Sequence, residues 1–197
     1  MRTVTDFLIE HKNEDAISFH MPGHKGRKSI FDKSGFSAWS NDMIANDITE
    51  IPGADALYCP ENTIKQVMEN YAALYGVKHT ELLVNGSSAG VMASILSSVP
   101  RGGKLVLGRN SHHSAFSALR LGGIMPCYLR PQIDSKYNLL GPVSPEEVDN
   151  VLACNPDASA VLITSPNYYG MLSNIEAIAA VCRRYDVTLI VDQAHGA

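Results

Sequence analysis

The stretch SAVLITSPNYYGMLSNIEAIAAVCRRYDVTLIVD, residues 159–192, decides the fold. It opens on a short apolar run, "SAVLIT", that stops at a polar turn containing Pro166. It closes on a second apolar run, "VTLIVD", and "NIEAIAAVCRRY" between them reads as a helix. Strands that are apolar at nearly every position are covered on both faces, and two of them joined by a helix form a parallel pair.

Outward from this unit the alternation repeats. "ELLV" (81–84), "GKLVLG" (103–108) and "IMPCYL" (124–129) read as strands. "SAGVMASILSSV" (88–99), "HSAFSALRLGG" (113–123) and "SPEEVDNVLA" (144–153) read as helices. The last carries Ser144 as N-cap, Pro145 in the first position and Glu147 three residues on, the pattern of a capping box. Earlier, "NTIKQVMENYAALYG" (62–76) places Ile64, Val67, Met68, Tyr71 and Leu74 on one helical face and ends on Gly76. The expected fold is α/β, a mostly parallel sheet with helices on both faces, over residues 61–197. Residues 1–60 differ: rich in Gly, Pro and Asp, with one short helix over roughly 4–10, they are expected to form an N-terminal arm or cap.

Composition narrows the function classes. A hydrophobic share of 45%, 18% charged residues and a net charge of −4 suit a globular domain and give no electrostatic case for nucleic acid. No apolar run reaches the roughly 18 residues a membrane span requires. "MRTVTDFLIEHKNED" has no signal-peptide pattern, so a cytoplasmic protein is expected. Cys59, Cys127, Cys154 and Cys182 are too widely spaced for a zinc ribbon or a CxxC redox motif.

In a parallel sheet, ligands gather at the carboxyl ends of the strands. There the sequence places "NGSSAG" (85–90), "GRNSHHS" (108–114), "TSPNYYG" (164–170) and "DQAHG" (192–196). "NGSSAG" opens a helix with a glycine and two hydroxyls, which suits a phosphate but equally an ordinary capped turn. It is neither the dinucleotide nor the P-loop signature. His112 suits a ring lying on a planar cofactor, or a plain polar loop; adjacent histidines rarely ligate one metal, and no metal site is expected. Asp192, after an apolar strand, is compatible with a turn cap, a metal or a cationic ligand. Among phosphate-bearing ligands, the protonated pyridine nitrogen of pyridoxal 5′-phosphate suits it well.

Taken together with "HMPGHKGR" (20–27) and "DITEIPGADALYCPENTIK" (47–65), these loops resemble the ornithine/lysine/arginine decarboxylase family of fold-type I pyridoxal-phosphate enzymes. The motifs run in family order along nearly the whole chain. The resemblance implies that Ser87, Ser88 and Ala89 hold the cofactor phosphate, and that His112 stacks on its ring. It implies that Asp192 pairs with the ring nitrogen, that Ala194 packs on the opposite ring face, that His195 lies beside the site and that Ser165 sits near the ring hydroxyl. His112 and Asp192 are the implied catalytic residues. The implied activity is decarboxylation of a basic amino acid (arginine, lysine or ornithine) by a homodimer or larger homo-oligomer, as in polyamine metabolism. The alternatives are another fold-type I aminotransferase or lyase, or a non-catalytic domain that binds a phosphate-bearing ligand.

The family also implies a lysine that attaches the cofactor as a Schiff base, downstream of the segment matched by "DQAH". No residue here matches it; Lys25, in "GHKG", belongs to a different family motif. The large domain is therefore expected to be incomplete at its C-terminus and the 197-residue chain inactive by itself. The family sheet has about seven strands, and its first strand pairs with strands later in the chain. "ELLV" is then expected to lack its neighbours, and "VTLIVD" to be an open edge.

Overall fold

The computed structural model describes residues 55–196. The short helix expected near the start, Lys25 and the motif at 20–27 lie outside these residues. The described residues fall into two compact units, one ending at Thr80 and the other starting at Glu81.

In the first unit, helix α1 spans Thr63–Tyr75 and ends on Gly76, whose φ of 63° is the left-handed conformation glycine adopts without strain. Its buried stripe is narrower than the periodicity predicts: Met68 is buried, whereas Tyr71 and Leu74 are exposed, and Tyr71 stacks on Tyr75. The start of α1 is capped from a distance. The Asp55 carboxylate accepts the backbone N–H groups of Glu61, Asn62 and Ile64, and also that of Ala56. The hydrogen bond from Glu61 leads these in holding its pKa well below the carboxylate range.

The second unit is built from α2 (Gly86–Ser98), β1 (Lys104–Gly108), α3 (His113–Gly122), β2 (Met125–Leu129), β3 (Ile133–Asp134), β4 (Leu139–Leu140), α4 (Pro145–Cys154), β5 (Ala158–Thr164), α5 (Ile175–Arg184) and β6 (Thr188–Asp192). The main sheet has the order β2-β1-β5-β6, and every pairing in it is parallel. Strand alternation explains why residues 105–107 of β1 and 160–163 of β5 are apolar at successive positions. Leu105, Leu107, Ala160 and Leu162 pack with Val91 and Ile95 of α2 and with Ala115, Ala118 and Leu119 of α3. Val106, Val161 and Ile163 pack on the opposite face with Val148 and Leu152 of α4 and with Ile178, Val181 and Cys182 of α5.

Three local expectations are corrected. Residues 81–84 form no strand; Leu83 and Val84 are exposed, and no strand among the described residues pairs with them. An extended segment becomes a strand only when a neighbour takes up its N–H and C=O groups. The capping box of α4 forms only by half. Ser144 Oγ accepts from Glu147 N at 3.2 Å, but Glu147 Oε1 is taken by Arg130 N at 2.9 Å instead of returning to the cap. Finally, the antiparallel β3–β4 hairpin interrupts the alternation between β2 and α4, where no element was expected.

Candidate active site

β1, β5 and β6 end at one edge of the sheet, and the loops that follow them meet there. α2 runs into the opposite edge, where β1 begins, so its first turn faces the same side. Ser87 and Ser88 are exposed and Ala89 half-buried in that turn. The turn is entered through Gly86, at φ 68°, and its N-cap Asn85 makes no side-chain capping bond. By contrast α3, α4 and α5 are capped by the side chains of His112, Ser144 and Asn174. The amide groups at the start of α2 thus lack the side-chain partner that the other three helices have.

His112 is that cap for α3. Its Nδ1 accepts from Ser114 N at 3.2 Å and lies 2.9 Å from Ser114 Oγ. In the tautomer that accepts this bond, the ring hydrogen sits on Nε2.

Asp192 ends β6 and is 8% exposed. Its Oδ1 accepts from Ala194 N at 3.1 Å, and its backbone carbonyl accepts from Ser165 N at 3.0 Å. Oδ2 has no donor among the described residues. Thr164 is the register partner of Asp192 in β5, and its buried Oγ1 also has no hydrogen-bond partner there. A buried carboxylate with spare acceptor capacity, flanked by an orphaned hydroxyl, is a place for a ligand that brings an N–H donor.

The loop after β5 is held rigidly. Ser165 is buried and its Oγ accepts from Ser173 N, while Ser173 Oγ accepts from Val143 N. The hydroxyl expected near a cofactor ring therefore already serves as a loop fastener, with its own proton left to donate. Asn167, 4% exposed, is the hub: Oδ1 accepts from Tyr169 N and Met171 N, and Nδ2 donates to Leu140 O and Gly141 O. The Ser165–Pro166 peptide bond is cis. A Cβ on Gly196 would lie 2.6 Å from Pro166 Cδ, so the loops after β5 and β6 touch where only glycine fits. His195 is exposed, its ring 6.4 Å from that of Tyr168.

Ser165, Asp192 and Ala194 are thus joined by hydrogen bonds, and His195 follows on the same turn with its ring beside Tyr168. Ser87, Ser88, Ala89 and His112 lie at the same sheet edge without a hydrogen bond to it among the described residues. Thr164, Asn167, Ser173 and Tyr168 were not singled out from sequence. A buried asparagine in a polar turn carries no periodic signal, and only the hairpin that meets it reveals its use.

The parallel sheet and its helices have the fold of fold-type I pyridoxal-phosphate enzymes. The constitutive lysine decarboxylase of Escherichia coli superposes with a TM-score of 0.65 at 20% identity, over 95% of this chain and 28% of that one; this likeness is one of fold. The chain belongs to the Orn/Lys/Arg decarboxylase family, whose major-domain model matches residues 3–197. An uncharacterised protein of Bacillus subtilis, YaaO, is 36% identical over 192 residues, 96% of this chain and 39% of that protein. An arginine decarboxylase of Halalkalibacterium halodurans is 32% identical over 189 residues, 96% of this chain and 38% of the relative. The chain therefore spans about two fifths of the length of these relatives.

Proposed function

We propose that the protein carrying this sequence is a pyridoxal-phosphate-dependent decarboxylase of a basic amino acid, with arginine, lysine or ornithine as substrate. The observation that carries the reading is the buried Asp192 carboxylate. It is fixed by Ala194 N at one oxygen and open at the other, in a chain whose family is that of the ornithine, lysine and arginine decarboxylases.

The residues present fit the cofactor. The uncapped first turn of α2 offers backbone N–H groups and the hydroxyls of Ser87 and Ser88 to a phosphate. Asp192 would accept the pyridine N–H and keep the proton on that nitrogen. His112, tied at Nδ1, would offer its face to one side of the ring, and Ala194 would leave room on the other. Ser165, whose oxygen fastens Ser173, would have its O–H to donate toward the ring hydroxyl, and His195 would border the site. What pyridoxal phosphate supplies when bound is an electron sink for the pair left as carbon dioxide departs. The chain's own contribution would be a carboxylate acceptor at the ring nitrogen and, at the start of α2, backbone N–H groups and two hydroxyls for the phosphate.

No helix of the described residues is long and apolar enough to cross a membrane. A cytoplasmic homodimer or larger homo-oligomer in polyamine metabolism is part of the proposed reading and rests on the family alone. The test is carbon dioxide release from arginine, lysine and ornithine by the protein at its relatives' length, loaded with pyridoxal phosphate. Release from none of the three would refute the reading. Asp192→Ala is expected to abolish release while the far-ultraviolet spectrum stays unchanged.

A further inference from the structure

We propose that Thr164 is a positioning residue for Asp192: when the cofactor binds, the Thr164 hydroxyl donates to the same carboxylate oxygen that accepts the ring N–H. The inference rests on the pyridoxal-phosphate reading above and adds to it a residue that no sequence motif singles out.

Three observations lead there. Thr164 and Asp192 are the last register pair of β5 and β6, so the two residues stand side by side at the spacing of adjacent strands, about 5 Å. Secondly, their side chains leave the same face of the sheet. Ala160 and Leu162 precede Thr164 by even steps, and Ile190 precedes Asp192 by two; all three pack on the face that α2 and α3 cover. These are the helices that carry Ser87 and Ser88 in the first turn of α2 and His112 as the cap of α3. Thirdly, both groups are buried and incompletely paired. Thr164 Oγ1 has no hydrogen-bond partner among the described residues, and Asp192, 8% exposed, has a donor on Oδ1 alone, Ala194 N. The two unmet groups suit each other, because a hydroxyl brings one proton and a carboxylate oxygen takes two hydrogen bonds. The ring N–H fills one place on Oδ2 and leaves the second for the hydroxyl beside it. A buried donor without a partner is costly, so the hydroxyl gains by taking that place. With one donor on Oδ1 and two on Oδ2, the carboxylate no longer turns about its Cβ–Cγ bond, and its charge stays in line with the ring nitrogen.

The experiment uses the protein at its relatives' length, with and without pyridoxal phosphate. Thr164→Val keeps the outline of the side chain and removes the hydroxyl. Its pyridoxal phosphate dissociation constant is expected to rise about five- to fiftyfold. The cofactor-free variant should melt no lower than the wild type, since the hydroxyl it loses has no partner among the described residues. With cofactor saturating, kcat should fall about three- to tenfold and KM stay within about twofold, because the bond acts at the ring nitrogen and not on the substrate. Thr164→Ser, which keeps the donor, should hold the dissociation constant within about threefold of the wild type. Equal cofactor affinity in the wild type and Thr164→Val would overturn the proposal. So would a loss of affinity that Thr164→Ser shares, which would make packing the cause, or a cofactor-free Thr164→Val that melts well below the wild type, which would give the hydroxyl a role in the fold instead. A wild type that binds no pyridoxal phosphate would bring down the cofactor reading itself, a failure seen before any variant is made.

Discussion

Asn167 concentrates more of the local architecture than any residue that the sequence points to. One amide side chain closes the loop after β5 through two acceptor bonds and fastens it to the β3–β4 segment through two donor bonds. Truncation leaves the N–H groups of Tyr169 and Met171 without their acceptor. Asn167→Ala is therefore expected to destabilise the protein by roughly 2–4 kcal/mol, read from the shift of its urea unfolding midpoint. Amide exchange at Tyr169 and Met171 should quicken with it, and unchanged exchange at both would remove Asn167 from this role. Ser87 and Ser88 make the opposite case, since both are exposed and a fold without ligand does not need them. Replacing both with alanine should leave thermal stability nearly unchanged and weaken pyridoxal phosphate binding by about 1.5–3 kcal/mol per hydroxyl bond lost, measured as the cofactor dissociation constant. Equal affinity would leave the α2 turn as a mere helix start. Asp192 was legible because a carboxylate after "TLIV" is costly without a purpose. Asn167 and Asp55 were not, because their partners lie up to 27 and 9 residues away and follow no period.

Among the elements, the strands that pack on both faces were the easiest to read. β1 and β5 are apolar at successive positions because two helices cover each face, and their positions agree with the expected runs. The failure at 81–84 has the complementary cause: "ELLV" has strand-like composition, but composition cannot supply a pairing partner. The hairpin β3–β4 was invisible since two-residue strands show no alternation to detect. Helix α4 shows how an apparently local motif is decided by its surroundings, with Glu147 drawn away from the cap by Arg130 N. α4 and α5 are joined by Asp149, which accepts from Tyr185 Oη at 2.7 Å and from Arg184 at 2.9 Å. The Tyr185 hydroxyl, followed by Arg184, lowers the Asp149 pKa, and the same hydrogen bond raises that of Tyr185. The signs follow from linkage. The carboxylate's contribution is present above its unfolded pKa and is lost as pH falls through the depressed folded value. The phenol's contribution is present below its unfolded pKa and is lost as pH rises through the raised one. The difference in melting temperature between wild type and Tyr185→Phe should be level from about pH 5 to 9 and shrink below about pH 4 and above about pH 10. A difference that persists undiminished at about pH 2 would show that the carboxylate plays no part.

At the scale of the whole molecule, the described sheet has two outer strands, β2 and β6. β6 presents Leu189, Ile190 and Val191 only half-buried, and on β2 Met125 and Tyr128 are exposed, as are Leu83 and Val84 ahead of α2. Unpaired backbone beside apolar side chains recruits further strands. The 197-residue polypeptide expressed alone should therefore sediment as concentration-dependent assemblies, and a single monomeric species across a wide concentration range would contradict this. The order of the four main strands bears on how the chain is made. β1 and β2 leave the ribosome first and can pair at once; β5 then joins the free side of β1, and β6 the free side of β5. Each newly synthesised strand meets a neighbour already in place, and none of the four has to be wedged between two that are already paired. For these strands the sheet grows outward in the direction of translation, each step templated by the one before.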